Sequence, residues 1–551
     1  MIVWFLQLIS LCLVNLHIMA LVQGQVRIDP LVSTKVGLIR GLRADEGYAK
    51  FLGIPYALVD DENPFGPSSP QPGFDDVFEA YDDTIECPQF FKNTATGTIQ
   101  CLTLNVYVPN TATSQNRLPV MVWIHGGAFI EGSARFDTLG LTPNSLVKQD
   151  VILVAINYRV GVYGFMCLDT PEVPGNQGLK DQVLALRWIN ENIEAFGGDA
   201  SKITVFGESA GAMSVNLHLF SPYENLFSKA IIQSGSALSN WMMVESDASV
   251  PIRLAQKLGF VTTEVDQALS YLSSVDSKLV VAAGFDENIA NADGNNQPLT
   301  KPCVEKHFDG VESFITEHPM NVKATKNVPV IIGNNDNEFG FQYENVDAKY
   351  FDSYSFNTQF DLGFKSDENL EEALEAISHF YIGDEKISDG VRFAIIDFGS
   401  DFIFSHPTQR MAEKLIDSGT RDVYRYIFSY DGGKNMLKIA LNMTSPGATH
   451  GDELGYIFAS STNDETAEDR LVVDRIVKLW TNFAKYGDPT PETTDLIPVK
   501  WTPVTADNQF YLNIDSDLTL TSRPFHARMA FWDLFYKLYG KYQKWYESPA
   551  K

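Results

Sequence analysis

The 551-residue chain has no Pro- or Ser-rich linker, no low-complexity run and no internal repeat. Length alone would suggest several domains; without linkers or repeats, one large domain over residues 25–551 is the expectation. Basic residues are in short supply, 42 Lys and Arg against 70 Asp and Glu, for a formal charge of −28. Such a field repels phosphate backbones and anionic lipid surfaces, so nucleic acid and membrane surfaces are not expected partners. After the first 22 residues no apolar run approaches bilayer length, and the C-terminus carries neither a lipid-anchor tail nor an ER-retention signal. A stable membrane anchor is therefore not expected. The opening run is itself apolar, with no Lys or Arg before Arg27, and Val22-Gln-Gly24 supplies small residues for cleavage. Residues 1–24 read as a signal peptide, which implies a secreted, extracellular protein. An uncleaved anchor is the alternative, although Gln7, Asn15 and His17 interrupt the run.

What is present is apolar enough to build a large core, with 44% hydrophobic residues. Apolar runs at 120–124, 151–156, 203–206, 230–233 and 328–332 alternate with helical stretches such as 179–196. Strands apolar on both faces that alternate with helices predict a doubly wound α/β fold with a largely parallel sheet. Residues 31–40 read as a hairpin at one edge of a sheet, 421–429 as a later strand, and 472–485 and 531–542 as closing helices. Helical patterns between about 240 and 320 and from about 340 to 420 fit lid insertions.

The strand at 203–206 runs into Gly207-Glu-Ser-Ala-Gly211, the G-x-S-x-G pattern of a nucleophile elbow with Ser209 at its centre. Small residues on either side let the chain turn sharply and hold the hydroxyl clear of the backbone. The strand at 118–124 ends in His125-Gly-Gly-Ala-Phe129, a glycine-rich loop of the kind that supplies oxyanion-hole N–H groups. A serine hydroxyl needs a histidine base and an orienting carboxylate, in the chain order serine, acid, histidine.

With Phe51-Leu-Gly-Ile-Pro-Tyr-Ala57, Asn157-Tyr-Arg-Val-Gly161, Gly175-Asn-Gln-Gly-Leu-Lys-Asp-Gln182, Asn192-Ile-Glu-Ala-Phe-Gly-Gly-Asp199 and Gln233-Ser-Gly235, these motifs span most of the chain. The sequence resembles the type-B carboxylesterase and cholinesterase family of α/β-hydrolases, most closely the secreted insect carboxylesterases. The resemblance implies a serine carboxylic-ester hydrolase with helical lid insertions and no cofactor or metal. Small-molecule esters are its expected substrates and organophosphates its expected inhibitors. His450, in Gly447-Ala-Thr-His-Gly-Asp-Glu453, matches the family's histidine loop, and Glu338 matches the family acid, with Asp336 as its rival because Phe339 stands where a glycine usually follows. Gly127, Ala128 and Ala210 take the oxyanion-hole positions. Trp241 matches a tryptophan that walls the acyl pocket, with packing in the core as the plain alternative. Ser234 resembles a serine beside the triad, and Phe129 and Phe404 would extend an apolar pocket. Family position also implies a Cys87–Cys101 disulfide, whereas Cys167 and Cys303 read as small buried hydrophobes, with pairing to each other as the alternative. The family's buried Glu–Arg pair is replaced here by Ile99 and Pro64, which suggests a repacked corner. Asn442-Met-Thr444 is a glycosylation sequon.

Three other readings are a catalytically dead adhesion protein, a sequestering binder, and a lipase. The intact set of triad residues argues against the first. Turnover measured against active-site titration separates the second, and activity on dispersed triacylglycerol the third. Among esters, the loop 88–100 has no tryptophan to hold choline and places Lys92 beside Phe90 and Phe91. Uncharged apolar esters are the expected substrates, in detoxification or in odorant or pheromone degradation. Hormone hydrolysis ranks last, because Glu208 precedes the nucleophile where juvenile-hormone esterases commonly have Gln.

Overall fold

In the computed structural model, described for residues 30–545 except 45, 138–139, 286–299, 324, 362, 366–369 and 460–464, an 11-stranded sheet runs through the molecule. The leader read at 1–24 lies outside the described residues. Its strands are β1 (Leu42–Arg43), β2 (Tyr48–Pro55), β3 (Thr103–Pro109), β4 (Leu118–Ile124), β5 (Ile152–Ile156), β6 (Gly198–Glu208), β7 (Lys229–Gln233), β8 (Val330–Asn335), β9 (Val423–Phe428), β10 (Phe510–Ile514) and β11 (Leu518–Ser522). The spatial order is β11-β10-β9-β8-β7-β6-β4-β5-β3-β2-β1. Every neighbouring pair from β5 across to β10 is parallel, while the two margins are antiparallel.

Period-two alternation explains why the central strands are apolar throughout. In β4, Val120, Val122 and Ile124 enter the core on one face and Met121 and Trp123 the core on the other. In β8, Val330 and Ile332 face one way and Ile331 the other. The first face is covered by α1 (Gln177–Asn192) and α2 (Ala210–Phe220), and the second by α3 (Ala467–Tyr486). A capping box at Thr466 and Asp469 starts α3, and Gly487 ends it. The closing helix is α4 (His526–Tyr539). Among the described residues no helix is long and apolar enough to cross a membrane.

Helices at Val250–Lys257, Val265–Ser274 and Ser277–Phe285 form the first insertion, and Glu371–Ile382, Arg392–Ser400 and His406–Asp417 the second. A π-helical segment, Asp401–Ser405, interrupts the second insertion and re-aims Ile403 and Phe404.

Of three local expectations, the one for Cys167 and Cys303 is corrected. The hairpin at 31–40 forms, but it pairs with Phe78–Glu79 in a separate three-stranded sheet; the margin of the central sheet is β1. Cys167 and Cys303 do not sit as free buried thiols, since they are disulfide-bonded across 136 residues, as Cys87 and Cys101 are across 14. A closure that long constrains the unfolded chain by about 5 kcal/mol in the chain-entropy model. Nothing in sequence spacing marks the pair, because the packing of the first insertion against Gly175 brings the two sulfurs together. At the altered corner, Ile99 packs in the apolar core and the Pro64 carbonyl accepts Arg159 Nη1 at 3.0 Å. The buried charge there is the Arg159–Asp181 pair, 2.8 Å apart.

Candidate active site

Ser209 joins β6 to α2 at φ 56° and ψ −123°, a backbone conformation that a side chain rarely takes. The surrounding glycines make the turn feasible. A Cβ on Gly211 would lie 2.1 Å from the Ile124 carbonyl oxygen, one on Gly207 2.6 Å from the Gly211 backbone, and one on Gly235 2.3 Å from the Ser209 carbonyl oxygen. The spacing of the motif thus reflects three close backbone approaches that hold the serine at the end of the parallel strands.

The loop after β4 turns back through Gly127, Ala128 and Phe129 at φ 102°, 53° and 64°. Three successive residues at positive φ turn the backbone sharply, and the turn is closed by the Ile130 and Glu131 N–H groups donating to the Gly127 carbonyl at 2.9 and 3.1 Å. Ala128 tolerates the conformation and lines the cavity with Gly127. Ala210 opens α2, so its N–H is among the unpaired donors of the first helical turn.

The histidine loop follows β9. Asp452 accepts from the backbone N–H of Thr449 (2.7 Å), Leu437 (2.9 Å) and Lys438 (3.1 Å), while Lys438 Nζ donates to the Ser445 and Gly447 carbonyls at 2.6 and 3.0 Å. His450 Nδ1 is 2.7 Å from Glu338 Oε2. Glu338 is fully buried, and its Oε1 accepts the Asn335 N–H at 2.7 Å. Asp336 instead accepts the Ala448 N–H at 2.7 Å, holding the loop rather than the imidazole. Phe339, in place of the family's usual glycine, fits because its ring lies over Gly399, where a Cβ would be 2.3 Å away.

Two further carboxylates, passed over in the sequence reading, sit beside the histidine. Glu208 Oε1 is 3.2 Å from His450 Nε2. Glu453, 0% exposed, accepts from Gln233 Nε2 at 3.0 Å and Asn335 Nδ2 at 2.8 Å. Burial, with the other carboxylates adding, raises Glu208 to about 8 and Glu453 to about 7. Burial alone would lower His450, but Glu208, Glu338 and Glu453 more than reverse it and leave the imidazole at about 9. These shifts oppose one another, since the rise at His450 takes Glu208 as an anion while burial favours its protonated form. Glu208 thus stands within hydrogen-bond reach of the ring nitrogen opposite the one that meets Glu338. Only the position of Glu208 inside the serine motif could have pointed to it. His125, by contrast, is held neutral by burial at about 4 and stacks on Tyr158 with ring centres 4.3 Å apart.

Ser209, His450, Gly127, Ala128, Trp241 and Phe404 all line one cavity of about 540 Å³. Two expected lining residues do not reach it. The Phe129 ring is turned by its left-handed backbone into the core, against Phe165 at 4.9 Å. Ser234, at φ 53°, is fully buried behind the elbow, and its N–H goes to the Gly333 carbonyl at 2.9 Å. Phe339, Phe341 and Ile403 line the space instead, Phe341 lying 5.6 Å from the His450 ring. Asn442 is exposed at the end of the helix Met436–Leu441.

The mostly parallel sheet with helices on both faces, and the sharp turn at its strand ends, define a protein of the α/β-hydrolase fold class. The family model described as "Carboxylesterase family" matches residues 28–532, and the chain belongs to that family, whose members are carboxylic-ester hydrolases. It is 31% identical over 543 residues to bile salt-activated lipase of Rattus norvegicus, covering 92% of this chain and 84% of the relative. It is 32% identical over 513 residues to juvenile hormone esterase of Tribolium castaneum, covering 84% of each, and 32% identical over 489 residues to esterase FE4 of Myzus persicae, covering 82% of each. Among solved structures, juvenile hormone esterase from Manduca sexta with OTFP covalently attached superposes with a TM-score of 0.79 at 26% identity, covering 93% of this chain and all of the other.

Proposed function

We propose that residues 25–551 form one catalytic unit that cleaves esters of uncharged, apolar alcohols through an acyl-enzyme on Ser209. His450 takes the Ser209 proton as Oγ attacks the carbonyl carbon, and Glu338 holds Nδ1–H so that Nε2 faces the serine. The oxyanion accepts N–H groups of Gly127, Ala128 and Ala210, each worth about 3 kcal/mol in acyl transfer. The alcohol leaves with the proton from His450; water, activated by the same imidazole, then releases the acid and restores the serine. The observation that carries this reading is the 2.7 Å contact between Glu338 and His450 at a cavity that also holds Ser209. Incubation with an organophosphate, followed by mass spectrometry, should place the adduct on the peptide containing Ser209. A second, unmodified half of the preparation should turn over p-nitrophenyl and naphthyl esters faster than dispersed triacylglycerol. Labelling elsewhere, with turnover intact, would sink the assignment.

The preference for an uncharged alcohol rests on the loop between Cys87 and Cys101. It folds as a hairpin, Gln89–Phe91 against Thr94–Thr96, with Lys92 and Asn93 at φ 48° and 60° in the turn. Phe91 lines the cavity, but Lys92 Nζ lies 5.0 Å over its ring. A ring face already holding an ammonium does not offer a quaternary ammonium the roughly 2 kcal/mol of a desolvated cation–π contact. Butyrylthiocholine is therefore expected to show a lower kcat/KM than an uncharged thioester of the same acyl chain. A tenfold advantage for the choline ester would move the reading to cholinesterase. Secretion and a role in detoxification or in odorant or pheromone ester degradation complete the proposal, supported by the apolar leader and by likeness to insect esterases.

A further inference from the structure

The loop that carries Gly127 and Ala128 is held by a side chain from a distant part of the sequence. Gln89, 4% exposed, lines the same cavity as Ser209. Its Oε1 accepts the Gly132 N–H at 2.8 Å, and its Nε2 donates to the Gly132 carbonyl at 3.0 Å and to the Cys87 carbonyl at 3.1 Å. The oxygen and both hydrogens of the amide are therefore engaged. Gly132 belongs to no helix or strand, so its N–H and carbonyl have no ladder partner, and one glutamine serves both. A leucine or methionine would fill the same space without the cost of burying a primary amide.

From Gly132 the contacts lead to the serine. A Cβ on Gly132 would lie 2.2 Å from His125 Nδ1 and 2.6 Å from the Gly126 carbonyl oxygen, and one on Gly126 would lie 3.1 Å from Ser209 Cβ. The backbone at Gly132 thus rests directly on the residues that lead from β4 into Gly127. Two other anchors come from the segment after β5: the Gly161 N–H donates to the Phe129 carbonyl at 2.7 Å, and Asn157 Oδ1 accepts the Ala134 N–H at 2.7 Å. Between them, Gln89 supplies the hydrogen bonds to Gly132. Gln89 is itself seated by the hairpin, in which it pairs with Thr96, and the Thr98 N–H donates to the Glu86 carbonyl at 3.0 Å. Donors to an oxyanion act only within a narrow range of distance, so a small shift of this loop would be felt at the reacting carbonyl.

We infer that Gln89 is a positioning residue for the oxyanion donors: its two hydrogen bonds to Gly132 set the place of the Gly127 and Ala128 N–H groups relative to Ser209. The inference rests on the ester-hydrolase reading and adds to it a residue that touches neither substrate carbonyl nor triad. The test uses Gln89→Met, which keeps the length of the side chain and removes the hydrogen bonds, with Gln89→Leu beside it. Titration of Ser209 to completion with an organophosphate counts competent sites, so that misfolded protein does not enter the rates. Per titrated site, kcat on p-nitrophenyl butyrate should fall by about tenfold to a hundredfold while KM changes by less than about threefold, because displaced donors act on the transition state. Two ligands with one alkyl chain separate this from a loosened pocket. In a trifluoromethyl ketone, Ser209 Oγ adds to the carbonyl carbon, the hydroxyl proton passes to His450 and the carbonyl oxygen becomes the oxyanion; the matching trifluoromethyl secondary alcohol has no carbonyl to attack. Binding of the ketone should weaken by the factor lost in kcat/KM, and binding of the alcohol should stay within about twofold of wild type. A kcat per site within about twofold of wild type in either variant, or equal weakening of ketone and alcohol, overturns the role of Gln89. The wild type keeps the outcomes distinct: if it neither hydrolyses the ester nor adds to the ketone, the hydrolase reading fails and this inference with it, while a fully active wild type matched by both variants counts against Gln89 alone.

Discussion

Ser209→Ala lowers kcat on p-nitrophenyl butyrate by roughly 10⁴- to 10⁶-fold, and His450→Ala lowers it about as much, because the two act as one unit. The loss corresponds to about 5–8 kcal/mol of transition-state stabilisation. On the proposed mechanism, what survives is oxyanion stabilisation by the Gly127 and Ala128 N–H groups, which neither substitution touches. Both variants should bind a non-hydrolysable ketone analogue in its unhydrated form, since the cavity walls at Trp241, Ile403 and Phe404 are unchanged. Burst and steady-state assays on protein quantified by absorbance make the measurement. Retention of even a tenth of wild-type kcat in either variant would falsify the assignment.

Glu338→Gln lowers kcat by about 10²- to 10⁴-fold. The change is nearly isosteric, and a glutamine oxygen still accepts the Asn335 N–H that Glu338 Oε1 accepts at 2.7 Å. Its amide nitrogen then faces His450 Nδ1. A donor there forces the imidazole into the tautomer with its proton on Nε2, where it cannot take the serine's proton. The same substitution at Asp336 replaces one acceptor of the Ala448 N–H with another. Asp336→Asn should therefore cost less than about tenfold. Parallel kcat determinations on the two variants decide the matter, and a larger loss from Asp336→Asn would make Asp336 the orienting acid.

The sequence was most informative where chemistry is written in contiguous residues. The alternation of Val120 to Ile124 placed a buried strand before the glycine-rich loop, and the structure puts that strand beside the serine strand. Gly207 and Gly211 were readable because they flank the serine in a contiguous pattern, although the backbone that crowds Gly211 is that of Ile124 and His125. Spatial relations were harder to read. Glu453 is buried against Gln233 and Asn335, 220 and 118 residues away, and no spacing rule joins them. Phe129 was misassigned because its place beside the oxyanion loop suggested the pocket, whereas its backbone φ of 64° sends the ring into the core.

The Cys167–Cys303 bridge makes one wall of the cavity depend on where the protein is synthesised. Neither the serine turn nor the histidine loop contains either cysteine, whereas Lys301 lies two residues from Cys303. Polypeptide made in a reducing bacterial cytoplasm would keep the serine turn and the histidine loop and lose the covalent hold on two stretches of cavity wall, at Phe91 and at Lys301. Such material should turn over a short acetate ester and show altered discrimination among bulkier esters that reach those walls. Oxidative refolding of the same batch should restore the discrimination, so a recombinant preparation graded only on acetate turnover would pass while misreporting what the natural protein selects.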